Sequence, residues 1–211
     1  MKIYFVRHGQ SELNIHDKEQ GADGALSELG RKQAAFVGKR FSDIPLDLIV
    51  SSPYERAKET AGIINEHLNK ELIFSDLLVE RRPPSQFIGV SNDDPEQRRV
   101  FALMKEQRMI DPAWRYADEE TFIDLKVRAV AALSYLGSLE KDSLLAVTHA
   151  GILRMIIAAM IMGEEMTYAE YLKFYFGMRT HNTGITLIEY RVDPTGNNRW
   201  QLIAWNDHAH L

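Results

Sequence analysis

A chain of 211 residues, 45% hydrophobic and 26% charged, has the length and balance of one soluble domain with a sizeable core. A formal net charge of −5 excludes a global pull toward nucleic acid or anionic membrane, but not a local site for a small anion. Cysteine is absent, which excludes disulfides, thiolate chemistry and cysteine-based zinc sites.

The first predicted element is KIYFVR (2–7), a strand that runs into Arg7, His8 and Gly9. Its apolar stretch is too short for a signal-peptide core, and a cytoplasmic location is expected. A helix over 27–41 starts at Ser27 before ELGRKQA. LDLIVSS (46–52) is a strand, followed by a helix over 53–69 with Pro53 in its first turn. ELIFSDLLV (71–79) reads as a third strand. RRPPSQFIGVSNDDPEQ (81–97) is loop-like and, with a helix over 95–109, forms a cap segment of about 81–120 within the single domain 1–211. Helices over 118–140, 151–163 and 167–177 surround a strand at 143–149. The apolar window 144–163 carries His149 and Arg154 in its middle, so it reads as buried strand and helix rather than a membrane span. Strands 184–192 and 200–206 flank DPTGNN and form an antiparallel hairpin. This alternation predicts an α/β three-layer sandwich: a mostly parallel central sheet flanked by helices, a C-terminal antiparallel hairpin and a helical cap insertion.

Three predicted strands end on polar residues that suit one chemistry. The first ends at Arg7-His8-Gly9, another at Thr148-His149-Ala150-Gly151, and a third at Ser51-Ser52-Pro53 with Arg56 soon after. In an open α/β sheet ligands bind beyond the carboxyl ends of the strands. Two imidazoles, two guanidiniums and two helix N-termini converging there suit a tetrahedral oxyanion and a nucleophile able to attack it. Gly9 is expected to let the backbone turn sharply behind His8.

RHGQSELN, ALSELGRKQA, SSPYERAKET, the acidic residue of LLVERRPPSQFIG, DEETFIDLKVRA and VTHAGILR occur in an order that resembles the histidine phosphatase (phosphoglycerate mutase-like) superfamily, over residues 3–190. The resemblance implies His8 as a nucleophile passing through phosphohistidine, with Arg7, Arg56 and His149 holding the phosphoryl group. It implies Glu80 as general acid and then base, and Gly9, Asn14, Ala150 and Asn182 among the substrate contacts. No metal and no cofactor are expected. The segment after Glu80 departs from the commoner Gly-x-x-Glu-Gly context, and Ala25 stands where proline is common.

The expected activity is a metal-independent phosphomonoester hydrolase of the histidine acid phosphatase type. Its partner would be a phosphorylated small molecule or phosphoprotein, without nucleic acid or membrane. A phosphoglycerate mutase-type isomerase is the alternative, disfavoured by the short stretch between Glu80 and residue 120. A non-catalytic phospho-ligand binder is the alternative of another class. Blander roles weighed for the same residues are a core histidine for His8 or His149, pairing of Arg56 with Glu59 or Thr60, and pairing of Glu80 with Arg81 or Arg82. Trp114 and Tyr116 read as packing residues, His16, His67 and His181 as isolated, and His208 and His210 as part of a solvated tail.

Overall fold

The computed structural model describes residues 1–210. Its sheet has six strands in the order β3-β2-β4-β1-β5-β6. Strands β1 (Lys2–Arg7), β2 (Leu48–Ser51), β3 (Leu72–Phe74) and β4 (Ser143–Thr148) are parallel, whereas β5 (Ile185–Val192) and β6 (Asn198–Asp207) complete it as an antiparallel hairpin.

Period-two alternation explains the layers. Ile3, Phe5, Leu48, Val50, Leu144 and Ala146 face one helical layer, built from α5 (Phe122–Gly137), α6 (Ala150–Met162) and α7 (Tyr168–Gly177). Val6, Ile49, Leu145 and Val147 face the other, built from α2 (Glu28–Phe41) and α3 (Glu55–Leu68). The central strands are therefore apolar nearly throughout because both faces are covered. A third, small cluster of Phe87, Val100 and Met104 packs with Phe101, Trp114 and Tyr116 beneath α4 (Pro95–Ile110), so the two aromatics at 114 and 116 are packing residues.

Helix starts follow their caps. Ser27 accepts from the Gly30 N–H at 3.0 Å, and Thr121 and Thr167 form reciprocal capping boxes with Asp124 and Glu170. Such caps stabilise by about 1 kcal/mol each. The Thr121 box sets the start of α5 three to four residues later than the apolar pattern suggests, and the helix ends at Gly137 rather than 140. A short helix the sequence pattern does not reveal, α1 (Glu12–Ile15), hangs on a capping box between Ser11 and Asn14.

The predicted strand 71–79 is overturned in its second half. After Phe74, Ser75 caps a 3-10 turn over Asp76–Leu78. The turn buries Leu78 and delivers Glu80 toward the first turn of α6. Of the window 144–163, the part up to Thr148 is β4 and Ala150–Met162 is α6, and among the described residues no helix is long and apolar enough to cross a membrane.

Candidate active site

The strand order decides the geometry. Strand β4 lies between β1 and β2, and the register pairs Arg7 with Thr148 and Ser51 with Val147. The residues that follow, His8, His149 and Ser52, therefore leave the sheet side by side. This is where β1 meets parallel β4 on one flank and antiparallel β5 on the other.

His8 is buried and its ring orientation is determined. Its Nδ1 lies 2.7 Å from the Gly9 carbonyl, which can only accept, so Nδ1 carries the proton. Nε2 then presents a lone pair, toward which Arg56 Nε donates at 3.2 Å. Burial, then the Arg56 and Arg7 charges, hold His8 well below the ordinary histidine pKa. At neutral pH the ring is uncharged with Nε2 free to react.

Arg56 is 1% exposed. Its Nη1 donates to the Gly21 carbonyl at 2.7 Å and its guanidinium lies over the Tyr54 ring. The alternative pairing with Glu59 does not occur, because Arg31 holds that carboxylate at 2.6 Å. Thr60 instead donates to the Arg56 carbonyl and accepts from the Gly9 N–H at 3.0 Å, tying α3 to the loop after β1. Arg7 donates from Nη1 to the Thr180 carbonyl at 2.8 Å. Burial lowers its pKa to about 10, against the opposing Glu80 charge, so it stays cationic at neutral pH.

His149 is fully buried, with Nε2 2.8 Å from Ser52 Oγ and its ring 5.1 Å from that of His8. Burial, then Arg56, holds its pKa well below the ordinary value. Two buried polar atoms here, His149 Nδ1 and Arg7 Nε, have no partner among the described residues. Unpaired buried groups cost free energy unless a ligand or water satisfies them, and oxygens of a bound oxyanion suit both.

Glu80 caps α6. Its Oε1 accepts from the N–H groups of Arg81, Gly151 and Ile152 at 2.8, 2.9 and 3.1 Å. Oε2 takes only one further contact, from Gly151 at 3.1 Å, and is the less occupied oxygen. Gly151 is required here, because a Cβ would stand 2.5 Å from Glu80 Oε1. The ion pairs weighed for Glu80 do not form through side chains. Arg128 fixes the approach to it, donating to the Val79 carbonyl at 2.7 Å while paired through two nitrogens with buried Glu120.

Asn182 Nδ2 donates to the His8 carbonyl at 3.0 Å and to Asn14 Oδ1 at 3.4 Å, so both asparagines brace the His8 loop. Ala150 opens α6 directly after His149. The role expected for Gly9 needs correction: it does not adopt positive φ. Glycine is needed because a Cβ would lie 2.5 Å from the Gly30 carbonyl oxygen, where the loop packs on α2. The reading of the tail is corrected in part. His208 is exposed, as expected, but stacks on His181, and His210 is half-buried within hydrogen-bond distance of Thr183 and Arg40.

Ser52, Tyr54, Thr60 and Arg128 position the central groups. The sequence named Ser52 only as a strand end and Thr60 only as a partner for Arg56; Tyr54 and Arg128 received no role, although they lie in the SSPYERAKET and DLKVRA stretches.

The structure thus gathers near the strand ends the groups named by the resemblance: His8 beside Arg56 and His149, with Arg7 at the end of β1 and Glu80 on the first turn of α6. The description "Histidine phosphatase superfamily (branch 1)" belongs to the family whose sequence profile matches residues 3–208. The chain is a member of this superfamily. It is 27% identical to the Proteus mirabilis protein named "Probable phosphoglycerate mutase GpmB", covering 100% of this chain and 95% of that one. It is 26% identical to the Bacillus subtilis "Uncharacterized phosphatase PhoE", covering 99% and 96%. Among solved structures, Bacillus stearothermophilus YhfR superposes with a TM-score of 0.80 at 26% identity, covering 99% of this chain and 98% of that one. A mycobacterial glucosyl-3-phosphoglycerate phosphatase in complex with VO3 shares the fold, with a TM-score of 0.76 at 23% identity over 98% and 99% of the two chains. The superfamily neighbours thus include both phosphatases and phosphoglycerate mutase-like proteins.

Proposed function

We propose that the protein is a phosphomonoester hydrolase that works through a phosphohistidine on His8. The observation that carries this reading is the His8 Nδ1–Gly9 carbonyl hydrogen bond, which leaves Nε2 as the unprotonated nitrogen, accepting from Arg56. In the first step Nε2 attacks phosphorus, the P–O bond to the leaving alcohol breaks, and a proton on Glu80 Oε2 passes to the departing oxygen. Arg7 Nε and the His149 ring, with Ser52 donating to Nε2 and Nδ1–H turned to the phosphoryl group, stabilise the equatorial oxygens. In the second step Glu80 takes a proton from water, water oxygen attacks phosphorus, and the P–N bond breaks to return neutral His8. Gly9, Ala150, Asn14 and Asn182 line or brace the phosphoryl end. Arginines supply the positive charge, so the scheme needs no metal and no cofactor. A phosphorylated small molecule is the partner this site suits.

Rapid quench with a labelled phosphomonoester should trap acid-labile, base-stable label on the wild-type protein. His8→Ala should remove the label and lower turnover by roughly 10⁵-fold, the scale of losing a nucleophile. Turnover retained in His8→Ala defeats the assignment. Label that returns to the same organic product rather than to inorganic phosphate identifies a mutase instead.

A further inference from the structure

A cavity of about 180 Å³ lies between the cap and α7, lined by Arg81, Phe101, Met104, Tyr171, Tyr175 and Phe176 among others. Two of its lining residues relate it to the phosphoryl end. The Arg81 N–H is bonded to Glu80 Oε1, and Tyr175 both lines the cavity and acts electrostatically on Arg7. The cavity is smaller than the ~300–1,000 Å³ that holds a drug-sized ligand.

Its polar groups fall into two sets. Arg108 is bound to Glu119 at 2.8 Å and Glu120 to Arg128 at 2.7 Å, so these charges are spent within the protein. Arg81 is different. Its guanidinium forms no ion pair among the described residues, and its one close partner is the Phe101 ring, 5.9 Å away. Burial opposes its charge, but Glu19, Tyr175 and Glu80 act on it through space and hold its pKa above the ordinary value. The Tyr171 hydroxyl is buried without a hydrogen-bond partner in the same wall. Burial raises its pKa, so it remains a neutral O–H donor. Lys105, exposed at the rim over Phe176, adds a second cation.

We propose that this cavity receives the alcohol portion of the substrate, and that this portion is a small apolar or aromatic body bearing its own carboxylate, held by Arg81 and Tyr171. The inference rests on the phosphatase reading for the placement of the phosphoryl group. Aromatic walls take the body, and an unpaired guanidinium with an unpaired hydroxyl takes the anion. The competing explanation is that Arg81 merely anchors the cap on Phe101.

The test compares phenyl phosphate with 4-carboxyphenyl phosphate. Wild-type kcat/KM should favour the carboxylated ester by roughly 10–100-fold, the scale of a hydrogen bond to a charged group. Arg81→Gln should bring that ratio close to one, Tyr171→Phe should lower it partway, and Arg81→Lys should restore part of it. Lys32→Gln, on the exposed face of α2, serves as the control that leaves the ratio intact. An anchoring role would lower both rates together and keep the ratio, which overturns the proposal, as does a wild-type ratio of one. Calorimetric binding of both esters to His8→Ala separates this failure from failure of the phosphatase reading. An Arg81-dependent preference in binding without turnover by the wild type would retain the subsite and discard the hydrolase.

Discussion

At the carboxyl ends of β1, β4 and β2, neighbouring strands run in register, and His8, His149 and Ser52 are placed by pairing that the sheet itself dictates. On the cap side, Arg81, Phe101 and Tyr171 come from a loop, α4 and α7; Phe101 packs on a small cluster of three buried residues, whereas Tyr171 belongs to the main core. Each region leaves polar groups without partners among the described residues: Arg7 Nε and His149 Nδ1 at the strand ends, and on the cap side the Tyr171 hydroxyl, next to an Arg81 guanidinium that forms no ion pair. Under the proposed function, chemistry common to all phosphomonoesters would rest on the rigid sheet, and discrimination between alcohols on the cap. Rigid elements hold reacting groups more accurately than loops do.

The comparison breaks most visibly at Arg56. Arg56→Ala should slow alkyl and nitrophenyl phosphates alike, by about 10³–10⁵-fold, because it acts on the phosphoryl group both share. Phe101→Ala in the cap should instead change KM unequally among substrates. A substrate-selective loss from Arg56→Ala, measured as kcat/KM for the two ester types, would blur the boundary drawn here.

Glu80 stands on that boundary. Glu80→Gln should slow alkyl phosphates by about 10²–10⁴-fold and nitrophenyl phosphate far less, since a nitrophenolate leaves without a proton. Two other carboxylates in the quoted motifs suit the role less: Glu120 is paired with Arg128 and Glu12 is exposed on α1. Equal slowing of both esters would remove Glu80 from the role.

Gly151→Ala sharpens the same point without touching the carboxylate. The added methyl would stand 2.5 Å from Glu80 Oε1 and push it off the α6 N-terminus. A displacement near 1 Å costs about 10²-fold, so the variant should reproduce the Glu80→Gln pattern more weakly. An unaltered alkyl-to-nitrophenyl ratio would mean that the cap on α6 does not position the acid.

The smallest effect is on stability. His8 and His149 have folded pKa values well below the ordinary histidine value of 6.5, so below that pH the unfolded chain binds protons that the folded chain refuses. Stability should therefore be insensitive to these groups above pH 6.5 and fall below it, by at most about 1.4 kcal/mol per pH unit for each histidine. Thermal unfolding between pH 7.5 and 5 should show this fall, and His8→Asn should flatten it. No flattening would mean that His8 titrates normally in the folded protein.

The strands, most helices and five central site residues were legible in the sequence for physical reasons. Both-face burial writes apolar runs into the central strands, caps announce helices, and Arg7-His8-Gly9 and Thr148-His149 interrupt those runs where a strand must meet solvent or ligand. Other features depended on contacts distant in the chain. The turn that ends β3 early is favoured because it brings Glu80 onto α6, a partner 71 residues away. Gly9 is glycine because α2 packs against it, and Asn182 braces a loop 174 residues earlier. Local pattern encodes which face of an element is buried, but not what another part of the chain will press against it. By itself the sequence determined the strands, their flanking helices and the identity of the side chains gathered at the strand ends. Only tertiary packing decided the bare nitrogen of His8, the seat of Glu80 and the unpaired Arg81 and Tyr171, because each depends on partners brought together across the fold.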